Sequence, residues 1–258
     1  MQCEILTLFP EIISGVASQS ILKRAQEMGH LRLRIHNIRD YTPDPHRVAD
    51  DVPYGGGGGM VMKAEPIFQA IDALRQPGGK FRFVIPSPQG IPLTQSLAEE
   101  LSQEHQSLVF ICGHYEGIDE RVQSGLAAEE ISIGDYVLTG GELATLVIID
   151  AAVRFIPGVL GDPQSAQQDS FADSLLDYPH FTRPSAVRGL GVPDILLSGN
   201  HQAIKRWRRK EALRNTLLKR PDLLEDRNLP DEDQQLIHEI LEESPSALCQ
   251  PKAGRSLS

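Results

Sequence analysis

The sequence predicts an α/β fold: a parallel sheet with helices on both faces, followed by a small helical C-terminal domain. Three observations carry this expectation. From residue 1 to about 155, short apolar runs alternate with stretches of helical period, the signature of strand–helix–strand units. Runs such as FRFVI (81–85) and SLVFIC (107–112) are apolar on both faces, as a strand must be when helices cover it from either side. Beyond residue 200 the strand signal stops and two helical patterns remain, punctuated by Pro221 and Pro230.

The elements follow in order. Glu4 to Phe9 reads as a strand, Glu11 to Met28 as one helix, and Leu31 to Ile38 as a second strand. After a glycine-rich loop come a helix near Ala64 to Arg75, the strand Phe81 to Ile85 and a helix near Thr94 to Glu104. The strand Leu108 to Cys112, a short helix near Asp119 to Ser124, a strand near Glu130 to Ile133 and a helix from about Gly141 to Phe155 complete this half. Residues 156–180 mix Gly, Pro, Ser and Asp without either period and read as an interdomain connector. Connectors of that length usually carry function. Helices near 201–219 and 231–243 follow, and SALCQPKAGRSLS reads as a frayed tail.

With 40% hydrophobic and 23% charged residues, the chain has the composition of a folded globular protein. Its longest apolar stretch, around Leu143 to Val153, is interrupted by Asp150 and stopped by Arg154, short of the roughly 20 residues a membrane span needs. The N-terminal MQCEILTLFP lacks a basic leader and a cleavage site, so the expected location is the cytoplasm, with no membrane partner. Cys3, Cys112 and Cys249 are scattered without disulfide or metal spacing, and Cys3 and Cys112 read as core thiols.

The net charge of −10 would disfavour a nucleic-acid partner if it were evenly spread. It is not. Residues 200–220 hold eight basic residues against one acidic, and residues 221–245 hold nine acidic against one basic. Lys205, Arg206, Arg208, Arg209, Lys210 and Arg214 are therefore candidate phosphate contacts. Their helix lacks a clean apolar stripe: Ile204, Trp207 and Leu218 share one side, while Leu213 and Leu217 fall nearly opposite.

Five consecutive glycines, Gly55 to Gly59, invite a phosphate-loop interpretation, but no GxxxxGK[ST] follows and no strand–helix junction surrounds them. A hinge or a backbone contact surface remains. Three other segments each follow a predicted strand: SPQG (87–90), CGHYEGIDER (112–121) and SIGDYVLTGGE (132–142). Loops at the carboxyl ends of parallel strands converge, so together they predict one small-molecule pocket. The lack of basic residues in the first and third argues against a triphosphate ligand.

CGHYEGIDERV, SIGDYVLTGGE, RFIPGVLG, the SxxxDSF of Ser165 to Phe171, HFTRP and LLSGNH occur in that order along the chain. By these six motifs the chain, over roughly Met1 to Leu241, resembles the bacterial tRNA (guanine-N1)-methyltransferase family, which modifies guanosine 37 beside the anticodon. The resemblance implies a parallel sheet with a deep trefoil knot, of the SPOUT class, where the residues alone predict an ordinary doubly wound sheet. It implies a knotted domain over 1–160, a connector over 161–175 carrying the catalytic base, a helical tRNA-binding domain over 176–245 and a flexible tail over 246–258.

Mapped motif by motif, the S-adenosylmethionine site implied by the resemblance falls on the same three segments. It takes in Pro88, Gln89 and Gly90; Gly113, Tyr115 and Gly117; and Ile133, Gly134, Asp135, Tyr136, Val137, Leu138, Gly140 and Gly141. The implied catalytic residues are Asp169 as general base for N1, Arg154 as electrostatic partner of the base's O6, and Glu116. The resemblance further implies tRNA as partner, a homodimer with active sites between subunits, and magnesium dependence, with no ligands assignable. Two positions depart from the pattern: Ala144 and Gly58 stand where many members carry Pro. A ribose 2'-O-methyltransferase of the same knotted class, and a non-catalytic RNA-binding module, are the alternative functions.

Overall fold

The computed structural model describes residues 1–75, 79–161, 169–225 and 227–243. The chain divides into two compact units, Met1–Pro163 and Gln164–Ser258.

In the first unit, five strands make one sheet: β1 (Gln2–Thr7), β2 (Arg32–Asn37), β5 (Phe81–Pro92), β6 (Ser107–Ile111) and β7 (Glu129–Ser132). Short β3 (Asp50–Asp51) and β4 (Val61–Met62) pair with each other apart from it. The sheet order is β2-β1-β6-β5-β7 and every pairing is parallel, as both-face apolar strands require. Alternation along β6 makes the two layers visible: Leu108 and Phe110 enter one core, Val109 and Ile111 the other. The first core is closed by α1 (Pro10–Ala17), α2 (Ser20–Glu27), α4 (Gln95–Ser102) and α6 (Glu142–Val153), the second by α3 (Ala64–Leu74) and α5 (Glu120–Leu126).

Two local expectations are corrected. The single helix expected over 11–28 is two, because Gln19 is extended and Ser20 has φ +47. Ser18 and Ser20 flank that break; serine offers the backbone side-chain partners that compete with helical ones. SPQG is not a turn beyond β5 but a bulge inside it, since Pro86 and Ile91 both pair with Ile131. Cys3 and Cys112 are buried, and burial pushes both thiols up, Cys3 to about 12. Cys249 lies outside the described residues.

The second unit is built on α8 (His201–Lys219) and α9 (Asp231–Glu243), preceded by a two-stranded hairpin, β8 (Ala186–Val187) and β9 (Leu190–Gly191), and the short α7 (Asp194–Leu197). Asn200 caps α8, its side chain accepting from the Ala203 amide at 3.1 Å. The small core joins Leu175, Ala212, Leu213, Leu236 and Ile240. Leu175 belongs to the end of the expected connector, and the Leu176 amide donates to the Thr216 hydroxyl at 2.9 Å, so that end is packed into the helical unit. No helix among the described residues is long and apolar enough to cross a membrane.

Candidate functional site

The carboxyl ends of β6 and β7 and the bulge of β5 enclose a cavity of about 390 Å³, in the range that holds a small-molecule ligand. Its lining includes Pro88, Gln89, Gly113, Tyr115, Gly117, Ile133, Gly134, Tyr136, Val137, Leu138, Gly140 and Gly141, together with Glu116. Twelve of the fourteen expected cofactor residues thus meet in one place.

The other two, Gly90 and Asp135, do not line the cavity. Gly90 acts on packing: a Cβ there would stand 2.3 Å from the Glu130 carbonyl carbon, so only glycine lets the bulge lie against β7. His114, Gln123, Glu130, Ser132 and Thr139 line the cavity without having been singled out in the sequence. Ser132 and Thr139 lie within the SIGDYVLTGGE motif and could have been found by its boundaries; Gln123 sits on α5 and carried no signal.

Backbone contacts hold the loops to one another. The Gly141 amide donates to the Gly113 carbonyl at 2.8 Å, and His114 and Gly140 form an isolated antiparallel bridge. Gly141 is also a close-approach position, because a Cβ would lie 2.9 Å from the Cys112 Cα. Ser132 closes its own turn, its hydroxyl donating to the Gly134 carbonyl and accepting from the Gly134 amide, both at 3.2 Å. Beneath the loops, Glu142 opens α6 with a buried carboxylate whose Oε1 accepts a 2.6 Å hydrogen bond from the Thr7 hydroxyl. Nearby, Nδ1 of His114 is buried with no hydrogen-bond partner among the described residues.

The glycine run is a backbone contact surface. The Glu116 amide donates to the Met60 carbonyl and the Met62 amide to the Gly117 carbonyl, both at 3.0 Å, zipping the run's end to the cavity loop. A Cβ on Gly59 would stand 2.3 Å from Oε1 of Glu116, so this glycine makes room for that carboxylate.

Acidic side chains line the cavity, Glu116, Asp119, Glu120 and Glu130 among them, and no Lys or Arg does among the described residues. A hydrogen bond from Arg121 holds the Asp119 carboxyl down to about 2. This lining suits a cationic ligand and disfavours a polyphosphate. Among the described residues no group of three or more His, Cys, Asp or Glu is arranged to hold a metal ion.

Arg154 caps the C-terminus of α6, the end opposite the cavity. Asp169 lies in the second unit, while Ser165 of its motif falls outside the described residues. Of the six cations expected to face phosphate, four are engaged by acidic side chains of their own unit. Arg206 and Lys210 reach Glu239, Lys210 and Arg214 reach Glu243, and Arg209 reaches Asp233 and Asp173. The basic and acidic blocks of the sequence are partners; Lys205 and Arg208 are the two of the six left without an ion pair among the described residues.

A family model described as tRNA (Guanine-1)-methyltransferase TrmD matches residues 1–226. The chain is 53% identical over 243 residues to a tRNA (guanine-N(1)-)-methyltransferase of Dictyoglomus turgidum, covering 94% of this chain and 98% of that one. It is 56% identical over 237 residues to the protein of the same name from Carboxydothermus hydrogenoformans, covering 92% of each. A further protein of that name, from Moorella thermoacetica, is 54% identical over 243 residues, covering 93% of this chain and 96% of that one. The chain belongs to the tRNA (guanine-1)-methyltransferase family.

Proposed function

We propose that the chain transfers a methyl group from S-adenosylmethionine to N1 of guanosine 37 in tRNA, acting as a homodimer with active sites shared between subunits. The observation that carries this is the convergence of twelve motif residues from three separate segments on one cavity. The cavity fits the methyl donor in charge: its acidic lining complements a sulfonium and an amino group.

S-Adenosylmethionine, when bound, supplies the electrophilic methyl that guanine N1 attacks. N1 carries a proton at neutral pH, and Asp169 is the carboxylate that takes it. Charge then grows on O6, where the Arg154 guanidinium stabilises it. Glu116, held against Gly59 at the cavity wall, orients the base. Among the described residues no group of three or more His, Cys, Asp or Glu offers a ready-made site for the magnesium ion that the resemblance implies.

The shared active site is supported by α6. Gly141 and Arg154 flank opposite ends of a 12-residue helix, which at a rise of about 1.5 Å per residue puts roughly 20 Å between them. An arginine side chain does not span that distance, which supports a role for Arg154 at the cavity of a second copy. Ile12 and Val16 on α1, and Leu143 and Val147 on α6, are exposed apolar residues on helices that pack together, and they offer that copy a surface. Knotted threading is supported by the 133–141 loop, which leaves edge strand β7 and returns two strands across to pair Gly140 with His114 beside β6.

The test is methyl transfer to unmodified tRNA carrying guanosine at 37, beside the same tRNA with adenosine there. Labelling of the first alone is expected; equal labelling of both would overturn the assignment.

A further inference from the structure

Arg209 makes a contact that the pairing of α8 with α9 does not require. Its Nε and Nη2 donate to the two carboxylate oxygens of Asp233 at 2.9 and 2.6 Å, and Asp233 is buried, so the guanidinium plane is fixed against α9. The remaining Nη1 donates to Oδ2 of Asp173 at 2.6 Å. Asp173 lies four residues beyond Asp169.

Residues 169–177 fold back on themselves as one knob within the second unit. The Ala172 amide donates to the Asp169 carbonyl at 3.2 Å, the Phe171 amide to the Leu175 carbonyl at 2.7 Å, and the Asp177 amide to the Ser170 hydroxyl at 3.0 Å. Phe171 at φ +73 and Ser174 at φ +51 both occupy the left-handed region, a cost that contacts from outside the knob must offset. Besides Arg209, two arginines supply such contacts. Arg227 Nη1 donates to the Asp173 carbonyl at 3.1 Å, and the Arg220 guanidinium stands 5.8 Å over the Phe171 ring. The Asp173 side chain is 67% exposed, and an ion pair that open to water adds little to overall stability. What it does fix is the place of the knob on α8.

Resting on the reading that Asp169 is the general base, we propose that Arg209 is a positioning residue for it: through Asp173 it locks the knob that carries Asp169 to the α8–α9 pair. The helical unit thereby sets where the base stands. Arg209 acts on the rate of methyl transfer and not on tRNA affinity.

The experiment is single-turnover methyl transfer by the full-length protein with saturating unmodified tRNA, with tRNA and methyl-donor affinities measured alongside. Trp207 emission confirms in each variant that the helical unit is folded. Asp173→Asn is expected to lower the rate constant about 10- to 100-fold with both affinities unchanged, the scale of loss when a catalytic group is misplaced by about 1 Å. Asp173→Glu, which keeps the carboxylate, should recover most of the rate. Arg209→Lys keeps the charge but lacks the rigid fork that holds two carboxylates at once, so its rate should fall as well; a phosphate contact would survive that exchange. In an Asp169→Ala background Asp173→Asn should have no further effect, since no base remains to be placed.

A wild-type rate in Asp173→Asn or in Arg209→Lys would overturn the inference. So would a loss of tRNA affinity at an unchanged rate, or an Asp173→Asn loss of equal size in the Asp169→Ala background, which would mark the contact as structural only. Full activity of Asp169→Ala would instead remove the reading beneath it.

Discussion

The Thr7 hydroxyl and the Glu142 carboxylate meet at 2.6 Å, tying the end of β1 to the first turn of α6 beneath the cavity. Glu142 is 2% exposed, and Thr7 Oγ1 accepts from the Phe9 amide at 2.9 Å as well, so one hydroxyl orders a strand end and a helix start. Thr7→Val leaves a buried carboxylate short of a donor, and about 1 to 3 kcal/mol of stability is expected to go with it. Thr7→Ser should restore most of the loss. Urea unfolding of the three proteins measures it, and an unchanged Thr7→Val midpoint would show the bond to be idle.

The glycines divide sharply in what they tolerate. An alanine at Gly90 meets the Glu130 backbone, which cannot swing aside, so Gly90→Ala is expected to cost about 1 to 3 kcal/mol and to weaken methyl-donor binding. At Gly58 nothing lies within 4 Å and φ is not in the left-handed region. Gly58→Ala is expected to leave activity intact and to stabilise by about 0.4 to 1 kcal/mol through the unfolded chain. Thermal melts with donor titrations separate the two.

The proposed sharing of sites between subunits makes a complementation prediction. Asp169→Ala should lower kcat by about 10² to 10⁴ while leaving donor affinity unchanged. Gly141→Val should empty the cavity, because its side chain collides with Cys112. A heterodimer of the two inactive chains has one intact composite site of two, and since random pairing of equal amounts makes about half of the dimers mixed, about a quarter of wild-type activity should return on mixing and co-refolding. Failure to recover any activity, with heterodimers present, would place both groups in one subunit.

The α8–α9 ion pairs predict acid sensitivity. Hydrogen bonds from Arg206 and then Lys210 hold the Glu239 carboxyl down to about 2, below its ordinary 4.5. A depressed carboxyl stabilises the fold above its unfolded pKa, and that contribution is lost as pH falls through the folded one. The helical unit should therefore weaken between about pH 4.5 and 2. The chain's one tryptophan, Trp207 on α8, reports the transition, and Glu239→Gln should flatten the profile over that window. A parallel profile in the variant would count against the pairing.

Local pattern was enough for most elements. Apolar period distinguished strand from helix in the first unit, and the second unit's helices matched their expected 201–219 and 231–243 bounds because prolines and a capping Asn200 punctuate them. Period could not show the break at Ser18–Ser20, where Ile13, Ala17, Leu22 and Ala25 keep an apolar rhythm across the gap. Nor could it show that SPQG bulges from within a strand, since register is a property of two chains of residues and not of one.

By itself the sequence determined the parallel α/β sheet, the helical second unit and the segments that form the cavity, because side-chain period and glycine placement act over a few residues. Tertiary structure alone decided which charges are free. Arg206 and Glu239 lie 33 residues apart in sequence, yet they share a hydrogen bond. Helical charge patterning sees only neighbours three or four residues away. The basic block therefore read as one patch, until the packing of α9 against α8 left only Lys205 and Arg208 of the six unpaired among the described residues.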